Sequence, residues 1–161
     1  MTEPEISQHF NFKEFVATDS GIFAINNQVY GLDYVGTLRA LAYGMLEPIR
    51  HHFGQKIIIH SGIRCPALNA FVGGSPESQH VKAEAVDFHV ENVECEDVFQ
   101  FIWRGAGFPI GQVIHEFNKM NNVHWVHLSL GCPWRTLDRC GMVLRRFNDG
   151  HYELLDNKIR L

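Results

Sequence analysis

An acidic residue lies inside a segment that otherwise has the pattern of a buried strand. Asp87 belongs to Ala85-Val86-Asp87-Phe88, whose other residues are apolar, within a predicted strand over residues 85–90. A carboxylate in a core strand costs several kcal/mol unless a cation or a metal ion pairs with it. The fold must therefore supply Asp87 with a partner, which is either an arginine or a metal ion held by further ligands.

Two histidines are the further ligands that the sequence offers. His80 lies seven residues before Asp87, close to the loop Gly73-Gly74-Ser75-Pro76, and His127 lies in a later predicted strand. Considered alone, His80 is also explained as a surface loop residue, and His127 as a histidine of the core. Taken together with Asp87, they form a set of three ligands that leaves one position of a zinc ion open for water, as in catalytic zinc sites.

The spacing of apolar residues predicts an α+β fold in a single domain over residues 1–161, with N-terminal helices packed on a mainly antiparallel sheet. Residues 1–31 form an ordered N-terminal arm. A long helix ends at Gly54, and Pro48 is expected to kink it. Helices are predicted over 32–53, 66–72 and 94–105, and strands over 56–60, 85–90, 111–117, 124–130, 141–147 and 152–155.

Charge and hydropathy exclude several classes of partner. The net charge of −4 argues against nucleic acid, and the longest near-apolar stretch, over residues 56–60, is far too short for a membrane span. The N-terminus has no Sec-type signal, so we expect synthesis to end in the cytoplasm. The four cysteines are expected to be reduced, with a Cys132–Cys140 bridge open only in an oxidising compartment. The basic pairs Arg145-Arg146 and Lys158–Arg160 are expected to be solvated.

Several motifs follow one another along the chain. They are Ser61-Gly62-Ile63-Arg64, Leu68-Asn69, Val72-Gly73-Gly74-Ser75, Ser78-Gln79-His80, Glu84-Ala85-Val86-Asp87 and Trp125-Val126-His127-Leu128-Ser129. In this order they resemble the motifs of the zinc D-alanyl-D-alanine carboxypeptidase family, in the branch common in phages and prophages. The resemblance extends from about Phe10 to Leu130 and implies the fold that this family shares with the hedgehog signalling domain.

The resemblance implies roles for individual residues. It assigns His80, Asp87 and His127 to Zn²⁺, and Arg64 to the substrate and the developing oxyanion. The general base of the family lies three residues before the last ligand, at His124 here. A regular strand would point His124 away from His127, so this role requires a bulge or a strand start at His124. Glu116, in the preceding strand, is the reserve candidate.

Other positions matter less directly. Ser78 and Trp125 are candidates for contacts with the substrate. Ala83 stands where the family usually has glycine, which crowds a turn without touching the ligands.

The implied activity is hydrolysis of an amide bond in a peptidoglycan stem peptide, with zinc-bound water as the nucleophile. The resemblance leaves open whether the enzyme is a D,D-carboxypeptidase or an endopeptidase. It also implies action on the cell wall as a phage lysin or virion component. The alternative is a non-catalytic zinc-binding module of a phage particle or cell envelope.

Overall fold

A six-stranded mixed sheet organises the protein, which is described here from a computed structural model covering residues 3–105, 107–118, 123–131, 141–146 and 150–157. The strand order is β1-β2-β4-β3-β5-β6. Neighbouring strands run antiparallel except β3 and β5, which are parallel. The strands are β1 (Ile57–Ser61), β2 (Ala85–Val90), β3 (Ile110–Asn118), β4 (Val123–Leu130), β5 (Met142–Arg146) and β6 (Tyr152–Asn157).

Four of the six α-helices in the described part of the chain precede the first strand. Together with the strand directions given above, this confirms the predicted α+β class with a mainly antiparallel sheet. Short 3₁₀ turns cover Gly21–Phe23 and Gln79–Lys82. Within the described residues, no helix combines the length and the hydropathy that crossing a membrane requires. The α-helices are α1 (Phe12–Val16), α2 (Ala24–Leu32), α3 (Val35–Leu41), α4 (Glu47–Phe53), α5 (Pro66–Phe71) and α6 (Cys95–Arg104).

The long predicted helix over 32–53 is divided in three. It begins at Val35, and a π-helical turn over Ala42–Leu46 joins α3 to α4. Pro48 lies in the first turn of α4, immediately after this wider turn. Proline has no N–H to donate, so Pro48 would cost a regular helix one backbone hydrogen bond. The hydrogen-bonding pattern changes from π to α just before Pro48, and proline is accommodated at this change. Gly54 ends the helix as predicted, in the left-handed conformation with φ of 62°.

The N-terminal arm is tied to the chain segment after β1. Asn27 of α2 is fully buried, and its amide donates to the carbonyls of Val16 and Ile63 and accepts from the backbone N–H of Cys65. The approach is so close that a Cβ at Gly62 would lie 2.4 Å from the carbonyl oxygen of Phe15. The arm thereby holds the backbone at Gly62, which contacts the site described below.

The apolar core lies between the sheet and the helices on one of its faces. Helix α6 packs Val98, Phe99 and Ile102 against the middle strands. Inward-facing strand residues complete this core: Val86, Phe88, Val113, Val126 and Leu128. Alternation along each strand therefore sends the intervening residues to the opposite face of the sheet. Cys65 and Cys95 are buried free thiols, whereas the predicted Cys132–Cys140 pair lies outside the described residues.

Candidate metal centre

Strands β2 and β4 place two of the candidate ligands side by side. Asp87 and His127 are directly opposite each other in the antiparallel register, on the face away from the core. The Nδ1 atom of His127 lies 2.8 Å from Oδ1 of Asp87. The other ring nitrogen, Nε2, lies 3.2 Å from the amide oxygen Oε1 of Gln79, which can only accept. With a metal ion bound at Nδ1, Nε2 would carry the hydrogen and donate it to Gln79.

The third ligand comes from the 3₁₀ turn that precedes β2. The Nδ1 atom of His80 donates to the carbonyl of Gly62 at 2.7 Å, which leaves the lone pair on Nε2. That Nε2 lies 3.2 Å from Oδ2 of Asp87. Ser78 caps the turn, since its Oγ accepts from the backbone N–H of His80. Ala83 ends the turn with φ of 55°, a conformation that favours glycine. Glycine is the usual residue at this position in the family that the sequence resembles.

The three side chains fit a metal ion. One donor atom from each of His80, Asp87 and His127 lies within 4.8 Å of the others, and all three residues are buried. Zinc bonds of 2.0–2.1 Å in a tetrahedron separate neighbouring ligand atoms by about 3.4 Å. The observed separations from Asp87, 3.2 Å and 2.8 Å, need only a small expansion to admit the ion. Two imidazoles and a carboxylate also form a donor set that zinc accepts.

Electrostatics favour the protonation states of Asp87 and His80 that metal binding requires. Burial alone would raise the pKa of Asp87, but His80 and His127 outweigh burial and hold that pKa far below its usual range. Burial also lowers the pKa of His80, against the opposing pull of Asp87, which favours the neutral imidazole. An ionised carboxylate and neutral imidazoles are the forms that bind metal.

Arg64 is a cationic partner of Asp87, so this carboxylate has the arginine that one alternative expected and also belongs to a set that could hold a metal ion. Its Nη2 donates to Oδ2 of Asp87 at 3.0 Å, and its Nε donates to Oγ of Ser61 at 2.9 Å. The guanidinium also lines the cavity above the three candidate ligands, whose volume is about 1020 Å³.

Glu116 and Trp125 line the same cavity. They are cross-strand partners on β3 and β4, on the face of the sheet that carries His127. The carboxylate of Glu116 accepts from Nη1 of Arg146 at 3.2 Å and from the hydroxyl of Tyr152 at 3.4 Å. A carboxylate therefore faces the metal cavity from the neighbouring strand.

His124 lies on the opposite face of β4. Its register partner is Phe117, and its Nδ1 contacts Nε2 of His115 at 3.2 Å on the side facing α6. Pairing of β3 with β4 is regular over the described pairs from Asn118–Val123 to Gln112–Ser129, so neither the bulge nor the strand start at His124 that the hypothesis requires is formed. His124 is not among the described residues that line the metal cavity.

The cavity also contains residues that the sequence did not single out. Arg146 and Tyr152, from β5 and β6, line it, and Gln79 orients His127. The expectation of a solvated face does not hold for Arg145-Arg146, because each arginine is partly buried in an ion pair. Adjacent residues of a strand point to opposite faces, so the alternation along β5 predicts that Arg145 and Arg146 lie on different faces of the sheet.

The geometry agrees with one comparison. Residues 8–129, about three quarters of the chain, match the model of the family described as Peptidase M15. No curated protein matches the chain. The matched segment contains β1 to β3, β4 up to Ser129 and all three candidate ligands, whereas β5 and β6 lie beyond it.

Proposed function

The chain belongs to the peptidase M15 family, and from this premise we propose that it is a zinc-dependent hydrolase of an amide bond in peptidoglycan stem peptides. The observation that carries the proposal is the buried set of His80, Asp87 and His127 at the base of an open cavity that a second carboxylate also lines. The resemblance further supports action on the cell wall as a lysin or virion component.

Each member of the set has a definite part. His80 through Nε2, His127 through Nδ1 and Asp87 through its carboxylate would hold the ion. Bound zinc supplies a Lewis acid that activates water and polarises the scissile carbonyl. The N–H groups on the far sides of the two imidazoles, held by Gly62 and Gln79, keep the rings oriented.

We assign the general base to Glu116 in preference to His124. A base must come within hydrogen-bond reach of the proton that it takes, directly or through one water. Glu116 faces the cavity, whereas His124 faces the helix side of the sheet. Glu116 would take the proton from the attacking water and return it to the leaving amine.

Arg64 has the part of an anion-binding group at the wall of the cavity. Two of its nitrogens already bind Asp87 and Ser61, which orients the guanidinium plane. Its planar set of donors suits the carbonyl oxygen of a substrate, which gains negative charge during attack. The same donors suit a terminal carboxylate, so Arg64 is compatible with both carboxypeptidase and endopeptidase specificity.

Mass spectrometry of purified muropeptides tests the proposal. The zinc-loaded protein should release a terminal alanine or split one defined amide, and a chelator should abolish the reaction. Metal content, measured by elemental analysis, should be one zinc per chain in the wild type and fall sharply in His127→Ala. Bound zinc without cleavage of any muropeptide would contradict the peptidase and favour a non-catalytic zinc-binding module.

A further inference from the structure

The hairpin of β5 and β6 reaches the metal cavity although it lies beyond the residues that match the family. Strand β5 runs parallel to β3, with Ile114 opposite Leu144 and His115 opposite Arg145. Strand β6 pairs antiparallel with β5, placing Arg146 opposite Tyr152. Both of these residues line the cavity. Part of the cavity wall is therefore built by a segment that the family match, ending at residue 129, does not include.

The two residues of this hairpin that line the cavity contact the same atom of Glu116. Oε2 of Glu116 accepts from Nη1 of Arg146 at 3.2 Å and from the hydroxyl of Tyr152 at 3.4 Å. The guanidinium of Arg146 also lies 5.6 Å from the centre of the Tyr152 ring. Within the described part of the chain, no hydrogen bond reaches Oε1 of Glu116. The hairpin thus holds one carboxylate oxygen, and the described residues give the other no hydrogen bond.

The low exposure of Glu116 makes its contact with Arg146 important. The side chain of Glu116 is only 13% exposed, so an ionised carboxylate there needs a compensating cation. Arg64, the other guanidinium of the cavity, is directed at Asp87 and Ser61. Arg146 supplies the cation that touches Glu116.

We propose that Arg146 and Tyr152 are positioning residues for Glu116. They hold the carboxylate through Oε2 and direct Oε1 into the cavity, where the reacting water must lie. This inference rests on the proposed function, because it gives Glu116 the part of the base. It adds that the β5–β6 hairpin is a component of the active site.

The adjacent arginine is a matched control. Arg145 precedes Arg146 in β5 and points to the other face, where its Nη2 binds Oε1 of Glu96 at 2.6 Å. Both arginines are about one third exposed and both form an ion pair. Replacement of either one removes the same charge from the same strand, but only Arg146 contacts the cavity carboxylate.

A double-mutant cycle between Arg146 and Glu116 tests the inference on the zinc-loaded protein. Arg146→Ala should lower kcat about tenfold or more with little change in KM. A general base typically accelerates a reaction by about 10²- to 10⁴-fold, and part of that factor is lost when the base is misoriented. Arg146→Lys should restore part of that loss, and Tyr152→Phe should cause a smaller one. In a Glu116→Gln background, Arg146→Ala should cause no further loss, whereas Arg145→Ala should leave kcat near the wild-type value.

Two kinetic outcomes would overturn the inference. One is a wild-type kcat in Arg146→Ala, and the other is a loss that multiplies with that of Glu116→Gln. Equal losses in Arg145→Ala and Arg146→Ala would show that the hairpin acts only through stability.

A measurement without catalysis separates this inference from the proposed function. In metal-free protein, Arg146→Ala should lower the melting temperature by about 2 to 4 °C, and by clearly less in the Glu116→Gln background. If the wild type cleaves no peptide, the proposed function fails, yet coupled melting temperatures still support the contact on Glu116. Additive melting temperatures would overturn the positioning contact whatever the activity.

Discussion

At the scale of single residues, the acceptors behind the two candidate histidine ligands matter as much as the histidines. The carbonyl of Gly62 accepts from Nδ1 of His80 and leaves the lone pair of Nε2 facing Asp87. Gln79 would accept from Nε2 of His127 when Nδ1 binds a metal ion. The acceptor for His80 is a backbone carbonyl, which mutation cannot remove. The acceptor for His127 is a side chain, so its contribution can be measured.

Replacement of Gln79 by alanine should weaken zinc binding by about 10- to 100-fold, because His127 loses the partner that sets its tautomer and orientation. Competition with a chromophoric chelator measures the affinity. Gln100→Ala is the control, since Gln100 lies on α6 and bonds Glu96, away from the cavity. An unchanged zinc affinity in Gln79→Ala would show that this hydrogen bond does not orient His127.

Glu116 and His124 can be separated as candidate bases by their variants. Glu116→Gln keeps the size and the acceptor oxygen but removes the basic carboxylate, and it should lower kcat about 10²-fold or more with zinc retained. His124→Ala should keep most of the activity, because its ring contacts His115 on the far side of β4. Steady-state kinetics and elemental analysis check both variants. Collapse of activity in His124→Ala alone would reverse the assignment.

At the scale of elements, a single glycine ends α4. Gly54 has φ of 62°, and a Cβ added there would meet no atom within 4 Å. Gly54→Ala should therefore cost about 1 kcal/mol in unfolding free energy from backbone conformation alone. Gly36→Ala, in equally open space in α3, should not destabilise the protein. Urea denaturation of both variants measures the difference, and equal effects would contradict the argument.

Glu47 joins the N-terminal arm to α4 and gives this contact a pH dependence. Its carboxylate accepts from Oγ of Ser7 at 2.6 Å, from the backbone N–H of His9 at 2.9 Å and from the His9 ring at 2.7 Å. Burial would raise the pKa of Glu47, but these hydrogen bonds outweigh it and hold the pKa below the ordinary value of 4.5.

Because the folded pKa of Glu47 is depressed, its carboxylate stabilises the protein above the unfolded pKa, and this stability is lost as the pH falls through the folded value. The stability difference between the wild type and Glu47→Gln should thus be full near neutral pH and shrink on acidification below 4.5. Denaturant unfolding over a pH series measures it. A difference that grows on acidification would contradict the assignment.

At the scale of the whole molecule, the metal site links parts that are distant in the chain. His80 precedes β2, Asp87 lies in β2, and His127 lies in β4, next to β2 in the sheet. An ion that binds only the folded arrangement stabilises the entire sheet through mass action. Free zinc at 100 times its dissociation constant should add about 2.7 kcal/mol to the unfolding free energy.

Thermal unfolding with and without zinc measures this linkage. The wild type should melt at a higher temperature with zinc, and a chelator should reverse the increase. In His127→Ala the increase should nearly vanish because one of the three ligands is gone. An equal increase in both proteins would place the stabilising zinc elsewhere in the chain.

Much of the fold was predictable because it depends on local patterns. Apolar spacing predicted α6 and the strands to within about two residues, and Gly54 predicted the end of α4. Pro48 predicted an irregularity in the long helix, but the π-helical form of the turn that precedes it was not predicted.

The sequence by itself determined the fold class and predicted the three candidate ligands, because strand periodicity and the chemistry of a carboxylate among apolar neighbours are local properties. The family was indicated by the resemblance of its ordered motifs. Only the tertiary structure decided which side chains share the cavity with these ligands. The regular pairing of β3 with β4 turned Glu116 toward the cavity and His124 away from it. The parallel pairing of β5 with β3 brought Arg146 to Glu116. Register and strand order are set by contacts between distant segments, so they emerge only when the sheet is assembled.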